Sequence, residues 1–188
     1  MSTKYKMNNP EGIYFLSTAV VYWIDVFTRK DYCEIVLDSL SYCAREKGLL
    51  IYAYVIMPSH VHLIIGRKEN GSELSAIIRD FKKFTSARII KAIHEHPQES
   101  RRDWMLWMME RAGKKNSNNT RFQFWQQDNH PIELEGDWLD QKLEYVHNNP
   151  VEAGIVRKPE DYLYSSASSY ADKGGLLKVI SIYDGVEI

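Results

Sequence analysis

Cysteine is scarce in this sequence, with only Cys33 and Cys43 among 188 residues. On the helix read below, ten residues would separate them by about 15 Å along the axis. A disulfide needs Cα atoms within roughly 7 Å. A disulfide framework is therefore excluded, and the pair reads as reduced, half-buried thiols of a cytoplasmic protein. No apolar run reaches the roughly eighteen residues of a membrane span, and the opening MSTKYKMNNPEG has no signal-peptide core. Neither membrane insertion nor export is expected. Net charge is nearly absent too, at −1, so no global basic field advertises a polyanionic partner. No internal repeat or low-complexity stretch occurs.

What is present is a globular composition, 44% hydrophobic and 26% charged. The length suits one domain, 1–188, with a core over about 13–150 and a C-terminal tail over 151–188. Ile13 to Phe27, rich in β-branched and aromatic residues, reads as a strand that turns at Asp25. Asp31 to Lys47 has apolar residues at helical spacing and ends before Gly48. LLIYAYVIM (49–57) and HVHLIIG (60–66) form a hairpin about Pro58-Ser59. A second helix starts at Ser72 and is limited by Pro97, and a shorter one occupies 100–113. KKNSNNT (114–120) reads as a polar loop, RFQFW (121–125) as the fourth strand, and Trp138 to Asn148 as a last helix stopped by Pro150. This order predicts an α+β, ferredoxin-like antiparallel sheet with helices on one face.

Charge is uneven. From Arg79 to Arg121 eleven Lys and Arg stand against five Asp and Glu, a local +6 that leaves −7 for the remainder. Such a stripe suits a phosphate-binding face, and it equally suits a solvated helix surface. Arg79, Lys82, Lys83 and Arg88 are its candidates on the second helix. Phe84, Trp104, Trp107 and Trp125 can stack on unpaired bases or serve as core.

His60-Val61-His62 is the sharpest chemical feature. On a strand, residues two apart share a face, so both imidazoles can converge while Val61, Leu63 and Ile65 face the core. His94-Glu95-His96 repeats the triplet near a helix end, where the two rings point about 200° apart and cannot share an ion. Two histidines need further donors. In LEYVHNNP, Tyr145 and Asn149 are four residues apart on one helix face, as are Gln141 and Tyr145. Because Asn149 precedes proline, it is expected at a helix terminus.

YAYVIMPSHVHLIIG, RDFKKFTSARI, FWQQDNHPIEL and KLEYVHNNPVEAGIVRKPEDYLYSS resemble the single-tyrosine (HUH) transposases of the insertion-sequence type, and within them the REP-associated tyrosine transposases. The resemblance spans about 13–170, with motifs in family order and spacing. It implies a ferredoxin-like fold and metal-dependent cleavage and rejoining of single-stranded, hairpin-associated DNA through a 5′-phosphotyrosine. By this resemblance Tyr145 is the nucleophile, and His60, His62 and Asn149 hold Mg²⁺ or Mn²⁺. Relatives act either alone or as homodimers that share active sites, and both remain open for this chain. Two other readings also remain, a metal-dependent phosphodiesterase using water and a non-catalytic nucleic-acid-binding domain.

Overall fold

A computed structural model describes residues 7–116, 121–127 and 131–188. Strand β1 (Ile13–Ala19) leads through two short 3-10 turns into α1 (Lys30–Lys47). The hairpin β2 (Leu49–Met57) and β3 (His60–Arg67) follows, then α2 (Leu74–Glu95) and α3 (Arg102–Lys114). β4 (Ile132–Leu134), α4 (Asp137–Glu152) and a short α5 (Ala167–Tyr170) complete the order. The sheet runs β2-β3-β1-β4 with every neighbouring pair antiparallel. The α+β class and the antiparallel sheet are as the sequence predicts. No helix among the described residues is long and apolar enough to cross a membrane.

The placement of helices differs from expectation. Val61, Leu63 and Ile65 of β3 join Tyr14 and Leu16 of β1 in a core shared with α1, α2 and α3. Their neighbours Ile64 and Phe15 face the other way, where Leu143 and Val146 of α4 cover them. Helices therefore lie on both faces. Period-two alternation reports that a second face is apolar, and only the closing of the chain supplies its cover. On β2 a register irregularity between Ile51 and Ala53 switches parity. Ile51, Tyr54 and Ile56 thus enter the first core, while Ala53, Val55 and Met57 enter the second.

The fourth strand is not 121–125. Phe124 and Trp125 are buried, but the segment touches the sheet through a single bridge, Trp125 to Val20. Its backbone is shared between a helix and the end of β1, with Gln123 N–H donating to Met109 O at 3.0 Å and Gln126 N–H to Ala19 O at 2.8 Å. β4 is only three residues, pairing Ile13 with Leu134 and Phe15 with Ile132, too short to show a period. Residues 117–120 of the expected polar loop, and 128–130, lie outside the described residues. The first strand stops at Ala19, before the turn expected at Asp25. Cys33 and Cys43 are free and fully buried, and burial pushes the Cys33 thiol up to about 12.

Pro150 does not stop α4, which continues to Glu152. The missing N–H costs one helical bond, but the ring is buried in line with Leu143 and Val146. Beyond it, Ala153 N–H reaches Asn149 O at 3.0 Å and Ile155 N–H reaches Pro150 O at 2.9 Å. Asn149 is thus inside a regular turn, not at the terminus. The tail covers the outer edge of β2: Ile56 N–H donates to Tyr164 O (2.9 Å), Ser166 N–H to Tyr54 O (3.0 Å) and Ile180 N–H to Ile51 O (2.8 Å).

Between β1 and α1, Tyr22 and Trp23 both take φ 56°, a left-handed conformation costing about 1–2 kcal/mol for each such residue. The connection is clamped behind them by Glu99. Its carboxylate accepts from Arg29 Nε (2.7 Å) and Arg101 Nε (3.3 Å), while Arg101 also donates to Asp25 O and Thr28 Oγ1. Burial alone would raise the Glu99 pKa, but the Arg101 N–H and the two guanidinium groups outweigh it and hold the value at about 2.

Two outcomes follow for stability. The Glu99 contribution is complete above its ordinary 4.5 and is lost as pH falls toward 2. Urea midpoints should fall over that window, and Glu99→Gln should flatten the dependence. At Gly113 a Cβ would overlap the Arg121 carbonyl, so Gly113→Ala should destabilise by about 1–3 kcal/mol in thermal or urea unfolding.

Candidate active site

The second face of the sheet gathers the sequence candidates. His62 points into it and is only 5% exposed, while His60 is half-buried at the strand's start. Their ring centroids are 4.7 Å apart. Across from them α4 presents Tyr145, 37% exposed, with Oη 3.4 Å from His62 Nε2. One turn later the Asn149 side chain comes near enough to His60 to act on its titration, and His60 Nδ1 lies 3.3 Å from Ser59 Oγ. Four residues from two distant segments thus meet within one chain. Gln141, on the same helix, is exposed and makes no described contact with the histidines.

Helical spacing explains how α4 does this. Leu143, Val146 and Pro150 fall on its buried side, so Tyr145 and Asn149 come to its flank beside the histidine strand. On the other flank His147 Nε2 meets Ser166 Oγ at 2.9 Å, tying the helix to the tail. Burial depresses the His147 pKa to about 4, so this contact is made by a neutral ring.

Three neighbours were not singled out from sequence. Phe15 stacks on His62 with centroids 5.3 Å apart and meets the Tyr145 ring edge-on at 5.9 Å. Lys142 places its ammonium 4.8 Å from the Phe15 ring centre and 5.0 Å from that of Tyr145. Its place one turn before Tyr145 is a signal available in the sequence. Trp23 lies edge-on to His60 at 5.4 Å, and nothing in the sequence marks it.

Burial lowers the pKa of both histidines. His62 falls to about 3, chiefly by desolvation, with further contributions from the neighbouring His60 ring, which disfavours a second charge beside it, and from the Lys142 ammonium. Both rings are thus neutral at physiological pH, the state in which imidazole ligates metal. His62 Nδ1 is buried with no hydrogen-bond partner among the described residues. Two neutral imidazoles and an amide beside an unpartnered buried nitrogen are a donor set that fits a divalent cation. No group of three His, Cys, Asp or Glu converges among the described residues, so any such ion would draw on the amide.

The basic candidates divide. Arg79, Lys82 and Lys83 line a groove of about 860 Å³ together with Arg121. Lys82 Nζ donates to Gln126 O at 2.7 Å, and Arg79 pairs with Asp80. Arg88 is not among the groove's residues, because nine positions place it about 180° around the helix from Arg79. Phe84, Trp104 and Trp107 are exposed, whereas Trp125 is core, its Nε1 donating to Thr85 Oγ1 at 2.9 Å. The second histidine triplet splits as expected: His96 Nε2 turns to Asp31 at 3.3 Å and His94 is exposed.

A tyrosine-bearing helix laid across a histidine pair on an antiparallel sheet brings one phenol and two imidazoles together. The family model described as IS200-like transposase matches residues 14–111, just over half of the sequence, and the chain belongs to this DNA transposase family. The match includes the histidine pair and the basic helix and ends before α4. Among solved structures, a REP-associated tyrosine transposase bound to a REP hairpin superposes with a TM-score of 0.64 at 17% identity, covering 100% of this chain and 99% of that one. A candidate transposase from Deinococcus radiodurans R1 gives 0.44 at 18% identity, covering 78% and 97%. No curated protein matches by sequence.

Because the folded chain keeps His62 neutral, its contribution to stability is complete above 6.5 and erodes as pH falls from there toward 3. An imidazole NMR titration should leave His62 unprotonated down to about pH 4. A midpoint near 6.5 would mean that α4 does not enclose the ring.

Proposed function

We propose that this transposase cleaves and rejoins single-stranded, hairpin-associated DNA, with Tyr145 as nucleophile and His60, His62 and Asn149 as ligands for Mg²⁺ or Mn²⁺. The observation that carries the reading is the 3.4 Å approach of Tyr145 Oη to His62 Nε2, with the Asn149 side chain beside His60. The structural neighbour's REP hairpin supports a hairpin substrate, and the groove along α2 supports an anionic strand.

In this mechanism the phenol oxygen of Tyr145 attacks a scissile phosphorus, and the bond from phosphorus to the 3′-oxygen breaks. The products are a 5′-phosphotyrosine and a free 3′-hydroxyl: the phenol gives its proton to solvent as the new bond forms, and the departing 3′-oxygen takes one up from solvent. Reversal by the 3′-hydroxyl of another strand completes transfer, since the phosphotyrosine conserves the diester's energy. A bound divalent cation would neutralise the phosphate and stabilise the departing oxygen. His62 holds the phenol oxygen at the reaction centre, and Phe15 and Val146 keep that side dry. Lys142 supplies a positive charge beside the phenol ring, where it offsets the negative charge of the phosphate that the phenol attacks. Arg79, Lys82 and Lys83 bind backbone phosphates without reading sequence. Arg88, on the far side of the helix, contributes at most to a flanking segment.

The test is a covalent-adduct gel with labelled hairpin oligonucleotides. Wild-type protein with Mn²⁺ or Mg²⁺ should form adducts, Tyr145→Phe none, and EDTA should abolish them. Lys142→Met should slow adduct formation by about 10²-fold with little change in thermal stability. Cutting that survives Tyr145→Phe would make the protein a water-using phosphodiesterase, and EDTA-resistant binding without any cutting would make it a binding domain.

A further inference from the structure

The turn between β1 and α1 holds a feature that the cleavage chemistry leaves unused. Tyr22 and Trp23 are consecutive left-handed residues, yet their rings are 44% and 56% exposed. Strained backbone of this kind persists only where its surroundings over-determine it. Here Val20 N–H donates to Ser59 O (2.9 Å), Val21 N–H to Phe124 O (2.8 Å), Trp23 N–H to Val20 O (3.0 Å) and Phe27 N–H to Pro58 O (2.8 Å). The turn is thus bolted to the β2–β3 hairpin on one side and to the 121–125 segment on the other. What this holds in place is two aromatic rings in solvent. An exposed ring contributes little burial to the fold, so packing does not account for the arrangement.

Location points to a ligand. Trp23 is edge-on to His60, 5.4 Å between ring centres. On its other side lies a groove of about 720 Å³ lined by Tyr22, Trp23, Lys115, Gln123, Gln126 and Gln127. Those three glutamines also line the groove of Arg79, Lys82 and Lys83. The two grooves thus share the glutamines, and Trp23, which lines the second, is the side chain that meets the His60 ring. Gln126 is built into the same frame: its N–H donates to Ala19 O at 2.8 Å and its Nε2 to Val20 O at 3.2 Å.

We propose that Trp23, with Tyr22 beside it, is a stacking platform for the unpaired base next to the scissile phosphate, and that Gln126 and Gln127 read that base's edge. The assignment rests on the strand-cleavage reading above and adds a specificity-determining site to it. Aromatic faces accept any base. Carboxamides carry donors and an acceptor together, so they can discriminate among base edges where lysines on phosphates cannot.

The test uses the full-length protein and a pool of hairpin oligonucleotides with randomised single-stranded flanks, retained on the protein and sequenced. The adduct gel is run in parallel. Retention needs no cleavage, so the two readings are separable. Wild type should enrich a base at one flank position. Trp23→Gly, placed where φ suits glycine, should keep the thermal midpoint, lose that preference and retain the pool about tenfold less well. Trp23→Phe should restore both. Trp23→Asn, which also tolerates the left-handed region, should behave as the glycine variant does and guards against a loosened turn. If Trp23→Gly and Trp23→Asn enrich the same base with unchanged retention, the platform is overturned while adduct formation stands. A Trp23-dependent preference without wild-type adducts would support the platform and overturn the tyrosine chemistry.

Discussion

The docking of α4 on the second face of the sheet is the constraint on which the rest depends. Leu143, Val146 and Pro150 enter an apolar layer made by Phe15, Ala53, Val55 and Ile64, and each buried side chain of this kind contributes about 1.5–3 kcal/mol. Two periodicities meet there. Alternation along β3 puts His62 and Ile64 on one face, and the helical repeat puts Tyr145 and Asn149 on the flank of the buried stripe. Once the apolar stripe is seated, the phenol and the amide have no choice of position. The His147–Ser166 contact and the tail along β2 then hold the helix from its far side.

The same layer sets the electrostatics. His62 lies under Phe15 and α4 and stays neutral, whereas Tyr145 stands at the boundary with its ring a third exposed. In the proposed mechanism, imidazoles that ligate a metal need the first condition, and a nucleophile that must meet a DNA strand needs the second. A single helix resting at the edge of an apolar patch provides both. Lys142 adds a cation at that edge without burying it, so its charge avoids the full cost of desolvation.

A chain of almost zero net charge handles a polyanion by concentrating its basic residues. Field strength at a groove depends on local density within about a Debye length, and the excess of +6 over 79–121 is presented largely by α2, α3 and the segment beneath them. The acidic remainder lies elsewhere in the sequence.

Much of this was legible in the residues themselves. Long periodic segments declared α1, α2 and the β2–β3 hairpin, and strand parity placed His60 with His62 and opposed them to Val61 and Leu63. The four-residue step from Tyr145 to Asn149 put both on one face of α4. These are properties of neighbours along the chain, so a local pattern carries them. The fourth strand, the helix on the second face, the turn of α4 past Pro150 and the left-handed Tyr22–Trp23 pair were not legible. Each results from a non-local contact that outweighs a local preference: helices α2 and α3 bury an alternating segment that pairs with almost nothing, sheet packing offsets a lost helical bond, and a hairpin with its neighbour pins two strained residues. Local periodicity determined which side chains could face one another; only the closed chain, by burying one apolar layer between helix and sheet, decided that they do.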